Sequence, residues 1–169
     1  MLIAIVAIAA VLAVLWWAQP REANVPVPVP AAAGPVAVPA DAHDAWVAYV
    51  HDGDTLFLQD GRKVRLLGVD TPEIGDTAEC YGDEATALLR SMLPEGAHLR
   101  VLADVQRLDR YGRSLLFLWT DDGASVNLTL LEQGAAEAVV LEPNVLFASE
   151  LEAAEDRAQA AGAGMWGAC

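Results

Sequence analysis

The sequence predicts an α+β domain in which five short strands form an antiparallel barrel and three helices pack on it. Two patterns predict this fold. Runs of β-branched and aromatic residues separated by Asp-Gly turns follow one another early in the domain, which is typical of a strand meander. Apolar residues at helical spacing dominate the later part, so most of the helices follow the meander. The chain of 169 residues is long enough for one domain with a substantial core.

Residues 1–18 carry no charged side chain and are long enough for a short membrane span or a signal-peptide core. No basic residue precedes this run, and Trp16 and Trp17 stand where signal cleavage needs small residues. Because paired tryptophans suit a membrane interface, we favour an uncleaved anchor over a cleaved signal. The domain is then expected outside the cytoplasm, or secreted if the segment is cleaved. Arg21 favours the opposite orientation by the positive-inside rule. A disulfide in the domain would override this indication, because disulfides form in oxidising compartments.

Residues 19–43 form a linker rich in Pro, Ala and Val, with the run VPVPVPAAAGPVAVPA at its centre. Repeated proline blocks helix formation and favours extended polyproline II, although a disordered spacer would serve equally well. The predicted organisation is therefore an anchor over 1–18, a stalk over 19–43 and a globular domain over 44–169.

The first three strands are predicted at WVAYV, TLFL and VRLLGVD, and the turns HDGD and QDGRK join them. The last two strands are predicted at HLRVLADV and RSLLFLWT. Asp83 is expected to cap the first helix, which has an apolar face of Ala85, Leu88, Leu89 and Met92.

The segment SVNLTLLEQG is predicted to be a short helix ended by Gly134. The last helix is predicted from about Phe147 to Ala161, and Gly162 is expected to end it. Its inner face is formed by Phe147, Leu151, Ala154 and Ala158.

The net charge of −14, with Lys63 as the single lysine, is a poor electrostatic footprint for a protein that wraps nucleic acid. A polyanionic partner must therefore be held by a few placed arginines or by a bound cation.

Cys80 and Cys169 are the two cysteines of the chain. In an exported domain they could pair, and otherwise they would remain free thiols. A disulfide over so long a loop would stabilise the fold by about 4–5 kcal/mol in the chain-entropy model.

Acidic residues gather at two predicted strand ends, with Asp52 and Asp54 in HDGDT and with Asp70 and Glu73 in VDTPE. Carboxylates that converge repel one another unless a hard cation binds them, and oxygen ligands in flexible loops suit Ca²⁺. Asp-Gly and Thr-Pro are also ordinary turn residues, so a purely structural role for both segments remains open.

Two arginines accompany these acids. Arg65 lies within an apolar strand, where an unpaired charge is costly, so it needs either a carboxylate or a ligand. Arg113 follows a Gly turn and could point across a cleft or remain an exposed hairpin charge. Two arginines facing a cation and a carboxylate would form a clamp for a phosphodiester.

The segments DGDT, RLLGVDTPE, YGDEA, DRYGR and MWG, in this order and spacing, resemble the staphylococcal nuclease (thermonuclease) family over residues 44–169. The resemblance implies an OB-type five-stranded barrel with three helices. It also implies a Ca²⁺-dependent nuclease that hydrolyses the phosphodiester bonds of DNA or RNA. By this resemblance Asp54 and Asp70 correspond to the Ca²⁺ carboxylates, and the Thr71 carbonyl to a further ligand.

The resemblance also implies roles for the remaining site residues. Arg65 would grip the scissile phosphate, Glu73 would activate or position the attacking water, and Arg113 would stabilise the charge of the transition state. Arg110 and Tyr111 match positions that contact a terminal phosphate of the substrate.

The sequence departs from the family at two places. Val139 and Leu141 align with tyrosines that stack on nucleotide bases, and the loop after DTPE is short and acidic. We expect weak, salt-sensitive and Ca²⁺-dependent capture of the substrate by a monomer. The alternative is a non-catalytic module that binds nucleic acid or protein, but such a scaffold would not need all five of Asp54, Arg65, Asp70, Glu73 and Arg113.

Overall fold

The computed structural model describes residues 36–169. Its strands are β1 His43–Val50, β2 Thr55–Leu58, β3 Lys63–Leu66, β4 Gly68–Asp70, β5 His98–Leu102, β6 Ser114–Thr120 and β7 Glu137–Val139. Its helices are α1 Gly82–Met92, α2 Val126–Glu132, α3 Ala148–Ala161 and a single turn, α4, at Met165–Ala168.

Five of the strands close into a barrel in the order β1-β2-β3-β6-β5, which confirms the predicted five-stranded barrel with three principal helices. The sequence-based expectation of purely antiparallel pairing is wrong at one seam, because β3 and β6 run parallel, with Val64 opposite Ser114. Parallel neighbours need a long crossover, and here the chain passes through β4, α1 and β5 between them. This seam sets the relative position of the two arginine-bearing segments.

The predicted strand VRLLGVD divides into two at Leu67. The Leu67 N–H donates to the Leu116 carbonyl, and the Leu67 carbonyl accepts a 2.8 Å hydrogen bond from the Asn127 side-chain amide. Asn127 is fully buried, and its Oδ1 accepts from the Leu118 N–H at 3.0 Å. Beyond this junction β4 leaves the barrel and pairs with β7, so Asp70 lies at the end of a strand outside the barrel.

Helix α1 begins differently from the prediction. Tyr81, in a left-handed conformation with φ of 74°, precedes the helix, and its side chain makes no capping hydrogen bond. Asp83 is therefore not the cap. It lies in the first turn together with Glu84, where a negative charge interacts favourably with the helix dipole.

The other two principal helices follow the sequence pattern closely. The Ser125 hydroxyl accepts a hydrogen bond from the Leu128 N–H at the start of α2. Helix α3 begins one residue after the predicted start and ends at Gly162, which adopts the left-handed conformation. The buried face of α3 consists of Leu151, Ala154 and Ala158.

The predicted anchor over 1–18 and most of the linker lie outside the described residues. The last part of the predicted linker packs on the barrel, since Val36 and Val38 touch the core and the Trp119 Nε1–H donates to the Val36 carbonyl at 3.0 Å. Over residues 36–169, no helix combines the length and the apolar character that crossing a membrane requires.

A disulfide joins Cys80, just before α1, to Cys169 at the end of the chain, with the two Cα atoms 6.1 Å apart. The bond ties the loop that follows the VDTPE segment to the C-terminal turn α4.

Candidate active site

The HDGDT turn and the VDTPE segment meet at one end of the barrel. Asp52 Oδ1 accepts hydrogen bonds from the N–H groups of Asp54 and Thr55, which closes the first turn. A Cβ atom on Gly53 would stand 2.5 Å from the Thr71 hydroxyl oxygen, so a larger residue would separate the two segments. Asp54 Oδ2 in turn accepts from the N–H and the hydroxyl of Thr71, both at 3.3 Å.

The Arg65 guanidinium joins the two predicted metal carboxylates. Its Nη1 lies 2.8 Å from Asp54 Oδ2, and its Nη2 lies 2.5 Å from Asp70 Oδ1. Nη1 also donates to the Val69 carbonyl at 2.7 Å, which fixes the arginine across β4. One positive charge thus faces two negative charges, and this local excess of negative charge suits a further cation.

Asp54 is 8% exposed, and burial raises the pKa of its carboxyl above the usual value. Arg65 opposes the effect, the nearby Asp52 charge adds to it, and hydrogen bonds from Thr71 and Thr55 oppose it. A buried carboxylate with an acidic neighbour is a group that a hard cation would stabilise.

Among residues 36–169, no cluster of three or more His, Cys, Asp or Glu side chains forms a ready metal site. The predicted ligand set needs no such cluster, since it consists of two carboxylates and one backbone carbonyl. Asp54 is nearly buried while the Asp70 side chain is 60% exposed, so the two predicted metal carboxylates differ in their access to solvent.

Arg65 and Arg113 line the same cleft, whose volume is about 310 Å³. Arg113 directly precedes β6, and the parallel β3–β6 pairing brings it alongside the strand that carries Arg65. The predicted arginine pair is therefore assembled in the fold, although sequence alone did not give the parallel seam that assembles it.

Asp109 is a site residue that the sequence analysis missed. Its Oδ2 accepts a 2.6 Å hydrogen bond from Arg113 Nε, and its Oδ1 accepts from the N–H groups of Tyr111 and Arg113, both at 2.9 Å. Burial works against ionisation, but the Arg113 side-chain hydrogen bond and the backbone donors outweigh it, so the pKa of Asp109 is lowered. The signal was available in DRYGR, where an aspartate stands four residues before the arginine.

Glu73 is exposed and does not line the arginine cleft. Its backbone is held firmly, because its N–H donates to Glu79 Oε2 at 3.0 Å and its carbonyl accepts from the Glu79 N–H at 2.9 Å. A Cβ atom on Gly82 would lie 2.2 Å from the same carbonyl, so α1 begins in close contact with this loop. Within residues 36–169 the Glu73 carboxylate makes no hydrogen bond or ion pair, which leaves it accessible to water.

Arg110 and Tyr111 form an exposed pair next to the cleft-lining Arg113. Arg110 Nη2 donates to the Tyr111 hydroxyl at 2.6 Å, and its guanidinium carbon lies 4.7 Å from the ring centroid. The Arg113 guanidinium carbon lies 5.6 Å from the same centroid. The DRYGR turn therefore presents two cations around one ring.

Aliphatic residues form the opposite wall of the cleft. Val139 and Leu141 both line it, in the positions where the resemblance would place stacking tyrosines. Asn144 links this wall to the loop between β5 and β6, because its side chain exchanges hydrogen bonds of 2.7 and 3.0 Å with the Gln106 backbone. The cleft offers no ring for base stacking at the positions of Val139 and Leu141.

Comparison with known proteins gives consistent matches. A family model described as "Staphylococcal nuclease homologue" matches residues 63–168, a range that begins after Asp54 and includes both cleft arginines. The thermonuclease of Staphylococcus hyicus is 33% identical over 126 residues, which cover 71% of this chain and 73% of that protein. The endonuclease YncB of Bacillus subtilis (strain 168) is 34% identical over 122 residues, which cover 68% of this chain and 57% of that protein.

Proposed function

This chain belongs to the staphylococcal nuclease family and is a nuclease, and we propose that it cleaves DNA or RNA phosphodiester bonds in a Ca²⁺-dependent reaction at the Arg65–Arg113 cleft. The observation that supports the site most directly is the shared cleft, since a phosphate placed in it can meet two guanidinium groups. Arginine matches phosphate geometry with paired N–H donors, so two arginines can hold one phosphate from different directions.

The residues fit a Ca²⁺ ion by the chemistry of their donors. Asp54 and Asp70 both contact one guanidinium, so their carboxylates converge, and burial disfavours the charged form of Asp54 in spite of the Arg65 charge. Asp54, Asp70 and the Thr71 carbonyl would hold the ion. When bound, Ca²⁺ supplies a positive charge that polarises a phosphoryl oxygen.

Each remaining residue has a role that its surroundings support. Arg65 and Arg113 donate hydrogen bonds to the phosphate and stabilise the negative charge that grows on it in the transition state. Glu73 lies outside the lining of the cleft, and the resemblance to the family assigns it the proton of the attacking water; its carboxylate is solvent-accessible and is not engaged by another donor within residues 36–169. Arg110 and Tyr111 offer a cation and a hydroxyl to a terminal phosphate.

The domain works outside the cytoplasm in this proposal, either anchored by residues 1–18 or released. The Cys80–Cys169 disulfide supports this location, because disulfides persist in oxidising compartments and are rare in the cytosol.

The test is cleavage of single-stranded DNA and of RNA by the purified protein, in Ca²⁺ and in EDTA, beside a Glu73→Gln variant. We expect products in Ca²⁺ alone, and a rate for the variant lower by roughly 10²–10⁴-fold. Cleavage that persists in EDTA would contradict the Ca²⁺ requirement. Binding of nucleic acid without cleavage in either condition would favour a non-catalytic binding module.

A further inference from the structure

An aromatic and cationic row crosses the outer face of the barrel beside the cleft. Tyr49 on β1 pairs with Phe57 on β2, and Phe57 pairs with Lys63 on β3. We call these three residues the outer-face row. The Tyr49 and Phe57 rings stack with centroids 4.6 Å apart and planes at 15°, and Lys63 Nζ lies 5.5 Å from the Phe57 centroid.

The outer-face row is continuous with the arginine cleft. On β3, Val64 and Leu66 are buried in the core, so Lys63 and Arg65 share the opposite face. Lys63 and Arg65 are two residues apart along β3 and therefore about 7 Å apart, a distance that an extended single-stranded nucleic acid can span. A strand whose phosphate is held by Arg65 can therefore continue over Lys63 and the two rings.

The exposure and charge of the row suit a nucleic-acid strand. Tyr49 is 45% exposed and stacks on Phe57, so the ring has surface left for a base. Lys63 is the single lysine in a chain of net charge −14, and it makes no ion pair within residues 36–169. An ammonium without a carboxylate partner, next to the half-buried Phe57 ring and the exposed Tyr49 ring, complements a strand of phosphates and bases.

We propose that the outer-face row is an extended substrate subsite, in which Tyr49 stacks on a base of single-stranded nucleic acid and Lys63 contacts its phosphate. Phe57 positions both, because it lies between the Tyr49 ring and the Lys63 ammonium. This inference rests on the proposed function, since it extends the path of the same substrate. It also supplies a stacking surface in a protein whose cleft wall is aliphatic at Val139 and Leu141.

The test measures binding separately from cleavage, using the full chain with Glu73→Gln so that the substrate stays intact. The probe is a fluorescent single-stranded oligonucleotide of about 12 nucleotides, within the range of known site sizes. We expect Tyr49→Ala to raise its Kd by roughly 5- to 160-fold, the value of one stacked base. Lys63→Gln should remove one phosphate contact and therefore lower the slope of log Kd against log salt concentration by about 1.

Trp46→Ala is the matched control. Trp46 is 47% exposed on the same strand as Tyr49, but it lies against His98, away from the row. An unchanged Kd for Tyr49→Ala, or an equal rise for Trp46→Ala, would overturn the proposal. A variant that binds the oligonucleotide normally but loses a dimer in sedimentation would assign this face to a contact between copies instead, and would overturn it as well.

Kinetics on two substrates complete the test. In the otherwise native protein, Tyr49→Ala should raise KM for the oligonucleotide and leave kcat/KM for a dinucleotide unchanged, because Tyr49 lies two strands away from the strand that carries Arg65 and a dinucleotide held at Arg65 is too short to reach its ring. Equal losses on both substrates would contradict an extended subsite. If the native protein cleaves neither substrate, the proposed function fails, while the binding comparison still decides the role of the row.

Discussion

Asp109→Asn tests whether the orientation of Arg113 matters for catalysis. The Asp109 side chain is 14% exposed and accepts a 2.6 Å hydrogen bond from Arg113 Nε. Hydrogen bonds to charged groups contribute about 1.5–3 kcal/mol, and asparagine keeps an acceptor for the backbone donors while losing the ionic component. We expect a fall in the free energy of unfolding of about 1–2 kcal/mol.

The effect on activity should exceed what this loss of stability explains. Removing a donor that stabilises transition-state charge lowers kcat by about 10²–10³-fold. A donor that is still present but points away from the phosphate should lower kcat by less than this. We expect kcat for Asp109→Asn to fall by about 10- to 100-fold, with KM within about twofold of the native value. The assay is steady-state cleavage of single-stranded DNA in Ca²⁺ at a temperature well below the unfolding transition.

Asp60→Asn provides a matched control for the same chemistry elsewhere. Asp60 accepts hydrogen bonds from the Arg62 backbone N–H at 3.0 Å and from Arg62 Nε at 2.8 Å, in the turn between β2 and β3. Because Arg62 does not line the cleft, kcat for Asp60→Asn should stay within about twofold of the native value. A native kcat for Asp109→Asn, or an equal loss in both variants, would show that Asp109 does not act by orienting Arg113.

Three further predictions concern the metal, pH and the disulfide. Ca²⁺ at about 100 times its Kd should stabilise the protein by about 2.7 kcal/mol, and Asp54→Asn should abolish that gain in thermal unfolding. The hydrogen bond that the His98 ring donates to the Asp121 carboxylate raises the pKa of His98 above its usual value; desolvation opposes this shift, and Asp44 adds to it. The stabilisation that His98 contributes should be complete below about pH 6.5 and should be lost as pH rises through the raised pKa. Plots of the free energy of unfolding against pH should therefore fall over this range for the native protein and should not show this fall for His98→Gln. Cys80→Ser should lower the free energy of unfolding by about 2–5 kcal/mol in denaturant titrations, and an unchanged midpoint would contradict a stabilising disulfide.

The barrel strands could be predicted because their alternation is plain and Asp-Gly turns separate them. The buried positions of β3, Val64 and Leu66, alternate with Lys63 and Arg65 as the pattern requires. The parallel seam between β3 and β6 could not be predicted, since periodicity reports which residues face the core and carries no information about which strand lies beside which. The break at Leu67 depends on a hydrogen bond from the buried Asn127 side-chain amide, which is 60 residues away along the chain, so no local sequence pattern predicts it.

The candidate site was partly predictable for a similar reason. The acids and arginines stand in recognisable segments, so Asp54, Arg65 and Asp70 could be named from the sequence, and the fold brings these three together. Glu73 could also be named, but local order did not reveal that it lies outside the arginine cleft. Asp109 was not predicted because an aspartate before a glycine turn is common, and its spacing to Arg113 does not by itself distinguish a hydrogen-bond partner from a turn residue.

If the phosphodiester bond is broken in the arginine cleft, both cleft arginines must contribute to the chemical step. We would therefore measure first the single-turnover cleavage rate of Arg113→Gln and of Arg65→Gln, each at saturating substrate and Ca²⁺, with circular dichroism to verify the fold. We expect a loss of at least about 10²-fold in each variant while the spectrum stays native. Two folded variants that cleave at the native rate would contradict cleavage in the cleft and would place the chemistry elsewhere on the molecule.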